Sequence, residues 1–136
     1  MSIDKSKIID FPTFSNQMGC LSVVEGGLDV PFDIKRVYYL HQVPLQVTRG
    51  VHAHKQLQQL LIPIAGRFTL RIDDGQHNRE WLLDDPTKGI YICPMIWREI
   101  TTETPGSVLL VLASEHYQEA DYIHEYDQFI ELKNAE

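Results

Sequence analysis

The sequence predicts an all-β fold, a single antiparallel jelly-roll barrel over residues 1–136 with a short C-terminal helical or irregular tail, and three observations predict it. Short runs of β-branched and aromatic residues recur along the chain. Between them stand "EGGLDVPFD", "VPLQ", "DDGQ", "DDPTKG" and "ETPGS", rich in the Gly, Pro and Asp that turns require. No amphipathic helical pattern separates the runs before "SEHYQEADYIHEYDQFIEL" at the end. Many short strands without intervening helices favour a sandwich or barrel, and a jelly roll can enclose a ligand cavity.

The strands follow in order. Cys20–Glu25 ends at a Gly pair, and Ile34–Gln42 carries "IKRVYYLHQ" up to a Pro-containing turn. Val51–His54 alternates apolar and imidazole side chains, and Gln58–Ile64 is an apolar run closed by Gly66. Arg67–Ile72 and Glu80–Leu83 flank the "DDGQ" turn as a hairpin would. Gly89–Cys93 and Arg98–Thr102 are separated by a Pro, and Val108–Ala113 follows "TPG". In the tail, Tyr and Phe side chains are expected to dock on the barrel while the acids face solvent.

With 136 residues, 43% hydrophobic and 23% charged, the chain has the composition of one globular domain with a substantial core. No apolar run approaches the ~20 residues that span a bilayer, and "MSIDKSKIIDFPTF" lacks a signal peptide's apolar centre. Cys20 and Cys93 read as buried free thiols of a reducing cytoplasm. A net charge of −7 disfavours nucleic acid, whose binding rests on neutralising phosphates. Arg36, Arg49, Lys55, Arg67, Arg71 and Arg98 nonetheless lie in the strand-rich centre, where a few can hold a small anionic ligand.

The segment "RGVHAHKQLQQLLIPIAGRF" carries the chemistry. Strand alternation puts His52 and His54 on one face and Val51 and Ala53 on the other. If Ala53 packs outward into a second layer, both imidazoles enter the barrel. On this spacing alone, a hydrogen-bonded polar strand face is slightly favoured over a metal site, because the pattern is short. The order His52, His54, four residues, Gln59, six residues, Gly66 resembles the first motif of the cupin superfamily, and "GIYICPMIWREI" resembles the second. Metal-binding cupins place Glu where Gln59 stands and His near Arg98. An amide is a weak ligand and a guanidinium cannot coordinate. No metal is therefore expected, and the histidines become candidates for general acid/base work. Arg98 or Lys55 would stabilise an oxyanion.

Across nearly its whole length the sequence resembles the nucleotide-sugar 3,4-ketoisomerases of the WxcM/FdtA type. The residues that carry this are "IIDFP", "GLDVPFDIKRVYYL", "RGVHAHKQLQQ", "DDG" and "LASEHYQEADYIHEYDQF", with the HAHK block the most specific. The resemblance implies an isomerase acting on dTDP-4-keto-6-deoxyglucose, without metal or redox cofactor, as a cytoplasmic homodimer. The segment through "CLSVVEGG" would then be the strand exchanged or paired with the partner. It places the catalytic pair at His52 and His54 without saying which is the carbon base. Arg49, Lys55 and Arg67 would bind the diphosphate, and Gln59 and Arg98 would border the sugar. Tyr38, Tyr39, Tyr91 and Trp97 are candidate platforms for the thymine, although adjacent Tyr38 and Tyr39 cannot both face the cavity. Where members carry "DERG", this chain has "NQMG", so Met18 replaces an Arg or Tyr that lines the sugar site. Arg98 resembles the branch that yields the gluco configuration at C4. Three other readings compete: a non-catalytic nucleotide-sugar-binding cupin, a related dTDP-sugar 3,5-epimerase, and a metal-dependent cupin. Retention of both histidines, the HAHK block with the tail, and the pair Gln59 and Arg98 argue against each in turn.

Overall fold

A computed structural model describes residues 2–136. The chain runs through β1 (Lys7–Asp10), β2 (Thr13–Asn16), β3 (Gly19–Ser22), β4 (Arg36–Leu40), β5 (Thr48–His54) and β6 (Gln59–Ala65). It continues through β7 (Phe68–Asp73), β8 (Asn78–Leu83), β9 (Lys88–Ile92), β10 (Trp97–Thr102), β11 (Val108–Ala113), β12 (Tyr122–Ile123) and helix α1 (Tyr126–Asn134). One sheet has the order β1-β9-β6-β11-β4 and the other β12-β5-β10-β7-β8, with every neighbouring pair antiparallel; β2 and β3 form a separate hairpin. This is the predicted all-β architecture. The nine expected strands are present with shifted ends, while β1, β2 and β12 are additional.

Phe68, Leu70 and Ile72 of β7 pair with Thr102, Ile100 and Arg98 of β10, and all three are fully buried. With Leu109 and Val111 they fill the space between the sheets. Each buried Leu or Ile contributes about 1.5–3 kcal/mol relative to exposure. The outer side of the second sheet forms its own cluster of Ala53, Trp97, Ile123 and Phe129, with Ile130 and Leu132 packed against it. Helix α1 supplies Phe129, so the tail covers the β5–β10 surface. Ala53 is fully buried there, which turns both histidines inward as the alternation requires.

The ladder between β5 and β10 is irregular. Arg98 pairs with His52, but Ile100 pairs with Arg49, so β5 contains one residue more than β10 over this interval. Gly50 takes φ +65° at this bulge, a left-handed conformation that glycine adopts without a Cβ penalty. Residues three apart on a regular strand face opposite ways. The bulge instead puts Arg49 on the same side as His52.

Candidate active site

Residues of β4, β5, β6, β10, β11 and β12 line a partly open cavity of about 290 Å³. Its polar wall consists of Arg36, Tyr38, Arg49, His52, Gln59, Arg98 and Tyr122. Leu40, Leu61, Ile100 and Val111 supply the apolar wall. Each strand contributes its inward-facing residues. Arg98 and Ile100 come from alternate positions of β10, and Tyr38 and Leu40 from alternate positions of β4.

His52 and His54 lie ring to edge with centroids 4.8 Å apart. Tyr122 packs against both, at 5.0 Å from His52 and 4.4 Å from His54. His52 borders the main cavity, while His54 is fully buried behind it and borders a smaller polar recess with Asp121. Burial is the largest influence on His52, and the charges of Arg98 and His124 add to it against Glu119; together they push its pKa down to about 3. Burial, then Arg98 and His52, hold His54 well below the ordinary histidine value. Both rings therefore rest neutral near neutral pH, able to accept a proton.

Arg98 is the largest fully buried side chain, and burial brings its pKa down to about 10, leaving it a cation at neutral pH. It donates to the Gln59 side-chain carbonyl and to Ile96 O (3.1 Å), while its Nε has no hydrogen-bond partner among the described residues. A buried cation without a carboxylate is costly unless something anionic meets it. Gln59 passes the polarity on. Its Nε2 donates to the Tyr38 hydroxyl oxygen at 2.8 Å, which leaves the phenolic proton free to donate. Burial keeps the Tyr38 pKa above its ordinary value despite the pull of Arg98. A neutral acid, a neutral base and a fixed cation thus share one chamber, with a second neutral imidazole, His54, directly behind His52.

This donor set does not fit the metal that cupin motifs imply. The Gln59 carbonyl faces Arg98, His54 Nδ1 lies 3.1 Å from Asp121 Oδ2, and a permanent cation pairs across the ladder from His52. Among the described residues, no three His, Cys, Asp or Glu side chains gather to hold a metal ion.

Of the residues singled out from the sequence, Arg49, His52, Gln59 and Arg98 line the cavity and His54 adjoins it. The others stand elsewhere in the chain. Trp97 lies on the outer face of the second sheet against Phe129, at 5.9 Å between rings, because it alternates with Arg98. Tyr39 alternates with Tyr38 and is 60% exposed on the outer side of the first sheet. Lys55 and Arg67 are exposed just outside strand ends. Met18, 96% exposed, sits in the turn of the β2–β3 hairpin. Cys20 is exposed on the same hairpin rather than buried; Cys93 is buried as expected. Tyr122 and Asp121 are the site residues not singled out beforehand; Arg36 was named only among the central cations, and Tyr38 only as a candidate platform for the thymine. For Tyr38 the alternation was legible, but which of two adjacent tyrosines faces inward depends on strand register. Arg36 lies over the rings of Tyr38 and Tyr117, at 5.2 and 5.7 Å.

Comparison with known proteins agrees with this geometry. The family model for FdtA, described as WxcM-like, C-terminal, matches residues 4–134. A curated relative from Aneurinibacillus thermoaerophilus, TDP-4-oxo-6-deoxy-alpha-D-glucose-3,4-oxoisomerase, is 39% identical over 125 residues, covering 92% of this chain and 90% of its own. The crystal structure of QdtA, a sugar 3,4-ketoisomerase from Thermoanaerobacterium thermosaccharolyticum in complex with TDP, superposes with a TM-score of 0.95 at 42% identity, with 98% of each chain covered. A histidine-to-asparagine mutant of that enzyme in complex with TDP-4-keto-6-deoxyglucose superposes with a TM-score of 0.94, also at 42% identity, covering 99% of this chain and 97% of its own.

Proposed function

The chain belongs to the FdtA, WxcM-like family, and from that premise we propose that it interconverts the 4-keto and 3-keto forms of dTDP-4-keto-6-deoxyglucose. The observation that carries this is a chamber in which neutral His52, backed by neutral His54, meets a buried guanidinium without a carboxylate partner. The 4-ketone acidifies the C3 hydrogen. His52, which borders the cavity, removes it as a proton, and the C–H electron pair becomes the C3–C4 double bond while charge collects on the C4 oxygen. Arg98 meets that charge in a water-poor site where it acts strongly. The C4 oxygen takes a proton and the C3 hydroxyl gives one up, with His54 as the relay between them. The C3 carbonyl then forms as a proton returns to carbon at C4. Tyr38, protonated and hydrogen-bonded to Gln59, is the acid on the opposite wall. Atoms balance with no oxidant, metal or redox cofactor. Arg36 and Arg49 are the cations on the cavity wall best placed for the diphosphate. Arg98 supports the gluco configuration at C4 as the reading of the product.

We assign the functional unit as a homodimer. The outer side of the first sheet exposes Val37 (56%) and Ile64 (48%) beside Ile62, Leu110 and Leu112, and the β2–β3 hairpin exposes Phe14, Met18 and Leu21. A second copy is the natural cover for both surfaces. Met18 would then reach a sugar site only in the partner. Free thiols at Cys20 and Cys93 suit the cytoplasm, and no helix among the described residues is long and apolar enough to cross a membrane.

Incubation of the purified protein with dTDP-4-keto-6-deoxyglucose, followed by proton NMR, tests the reading. The 3-keto sugar should accumulate, and His52→Asn should bind the substrate with turnover reduced by roughly 10²–10⁴-fold. Binding by the wild type with no conversion would leave a nucleotide-sugar-binding protein instead.

A further inference from the structure

Asp121 lies in the short segment between β11 and α1, beside the two-residue strand β12. That strand pairs Tyr122 with His54 and Ile123 with Ala53, which brings Asp121 against the end of β5. Its Oδ2 lies 3.1 Å from His54 Nδ1. The carboxylate does not swing freely, because Oδ1 accepts from Gln56 N at 2.8 Å and Oδ2 from Leu57 N at 3.3 Å. Its backbone carbonyl also accepts from Lys55 N at 3.0 Å. The residues just after His54 thus clamp Asp121 to its imidazole.

We propose that Asp121 is a positioning residue for the reaction, fixing His54 as the Nδ1–H tautomer so that Nε2 presents a bare lone pair for the proton relay. The assignment follows from hydrogen-bond chemistry. A carboxylate can only accept, so Nδ1 must donate, and the neutral ring then carries no proton on Nε2. That Nε2 is buried and has no hydrogen-bond partner among the described residues, although His54 is fully buried. An unsatisfied buried acceptor is expensive, and such atoms in folded proteins call for a role. His54 shares its strand face with His52, which borders the cavity, so a substrate hydroxyl is the fitting donor. Once Nε2 has taken the proton, the carboxylate supplies the counter-charge that a buried imidazolium needs beside Arg98.

The proposal rests on the isomerase reading and deepens it, and its test separates the two. Long-range proton–nitrogen NMR spectra of protein labelled at histidine nitrogens report the tautomer directly, with the His54 signals assigned by their loss in His54→Asn. Wild type should show Nδ1–H. Asp121→Asn, nearly isosteric, offers an amide donor to Nδ1 and should shift the ring toward Nε2–H. Its kcat should fall by about 10²-fold or more while KM for the nucleotide sugar stays near wild type. Placed on His54→Asn, the same substitution should add almost no further loss, because it acts through the missing ring. An Nε2–H ring in wild type would overturn the proposal, as would full kcat in Asp121→Asn or a loss that multiplies on the His54→Asn background. If Asp121→Asn fails to fold, the wild-type tautomer alone decides. Absence of isomerase activity in wild type would instead sink the functional reading, whatever the tautomer.

Discussion

His52 is held neutral by burial and by Arg98 and His124, with a pKa near 3 rather than its ordinary 6.5. The sign of the consequence follows from proton counting. Above 6.5 neither the folded nor the unfolded chain protonates this ring; between 6.5 and about 3 only the unfolded chain does. Stability should therefore fall as pH drops through that window and level off below it. His54 acts in the same direction. Comparing urea midpoints at pH 7 and pH 5, His52→Asn should lose less stability on acidification than wild type. An equal loss would mean that the ring protonates normally when folded. By the same reasoning, kcat/KM should show no acid limb near pH 6.5. Arg98 carries the complementary charge. Arg98→Met, similar in length and apolar, should lower kcat by about 10²–10³-fold, as loss of an oxyanion donor does, and circular dichroism should show the fold retained. Full turnover in that variant would remove Arg98 from the reaction. At this scale the catalytic pair was legible, because alternation and the HAHK pattern are local. The roles of Tyr38 and Asp121 were not, since they come from contacts with Gln59 and His54 at long sequence separation.

The β5–β10 bulge does the positioning at the scale of elements. Without the extra residue at Gly50, Arg49 would face away from the chamber that His52 borders. A Cβ on Gly50 would meet Ile100 Cδ1 at 3.1 Å and would sit at φ +65°. Gly50→Ala should therefore cost about 1–2 kcal/mol from the left-handed conformation, with TDP binding weakened as Arg49 shifts. Thermal melting and TDP titration check both halves; a variant as stable as wild type with equal affinity would show that the bulge has no such role. The nine expected strands were legible from β-branched runs and turn residues. The bulge was not, because Gly50 beside Arg49 reads equally as a strand end, and the expected strand began only at Val51. The edge strand β1 has little buried surface, only Ile9 being partly covered, so it lacks the alternating pattern that would mark it. Strand β12 has two residues and owes its existence to pairing with β5.

For the whole molecule, the sheet order, the apolar interior and the covering of the β5–β10 surface by α1 complete the architecture that the sequence implied. The outer side of the first sheet was harder to read, since exposed Val37 and Ile64 look in sequence like any strand residues. Their neighbourhood with Ile62, Leu110 and Leu112 is visible only once the strands pair. The homodimer assigned here should sediment as one species at micromolar concentration, and Val37→Glu combined with Ile64→Lys should shift it toward monomer. A monomeric wild type would refute the assembly. The chemistry is tested most directly by running the reaction in heavy water with a chelator present and locating deuterium by NMR. The predicted result is conversion of dTDP-4-keto-6-deoxyglucose to the 3-keto sugar, with solvent label entering at C4 of the product and, through the reverse reaction, at C3 of the recovered 4-keto substrate. Label at C5, or no conversion until a divalent metal is restored, would contradict the account.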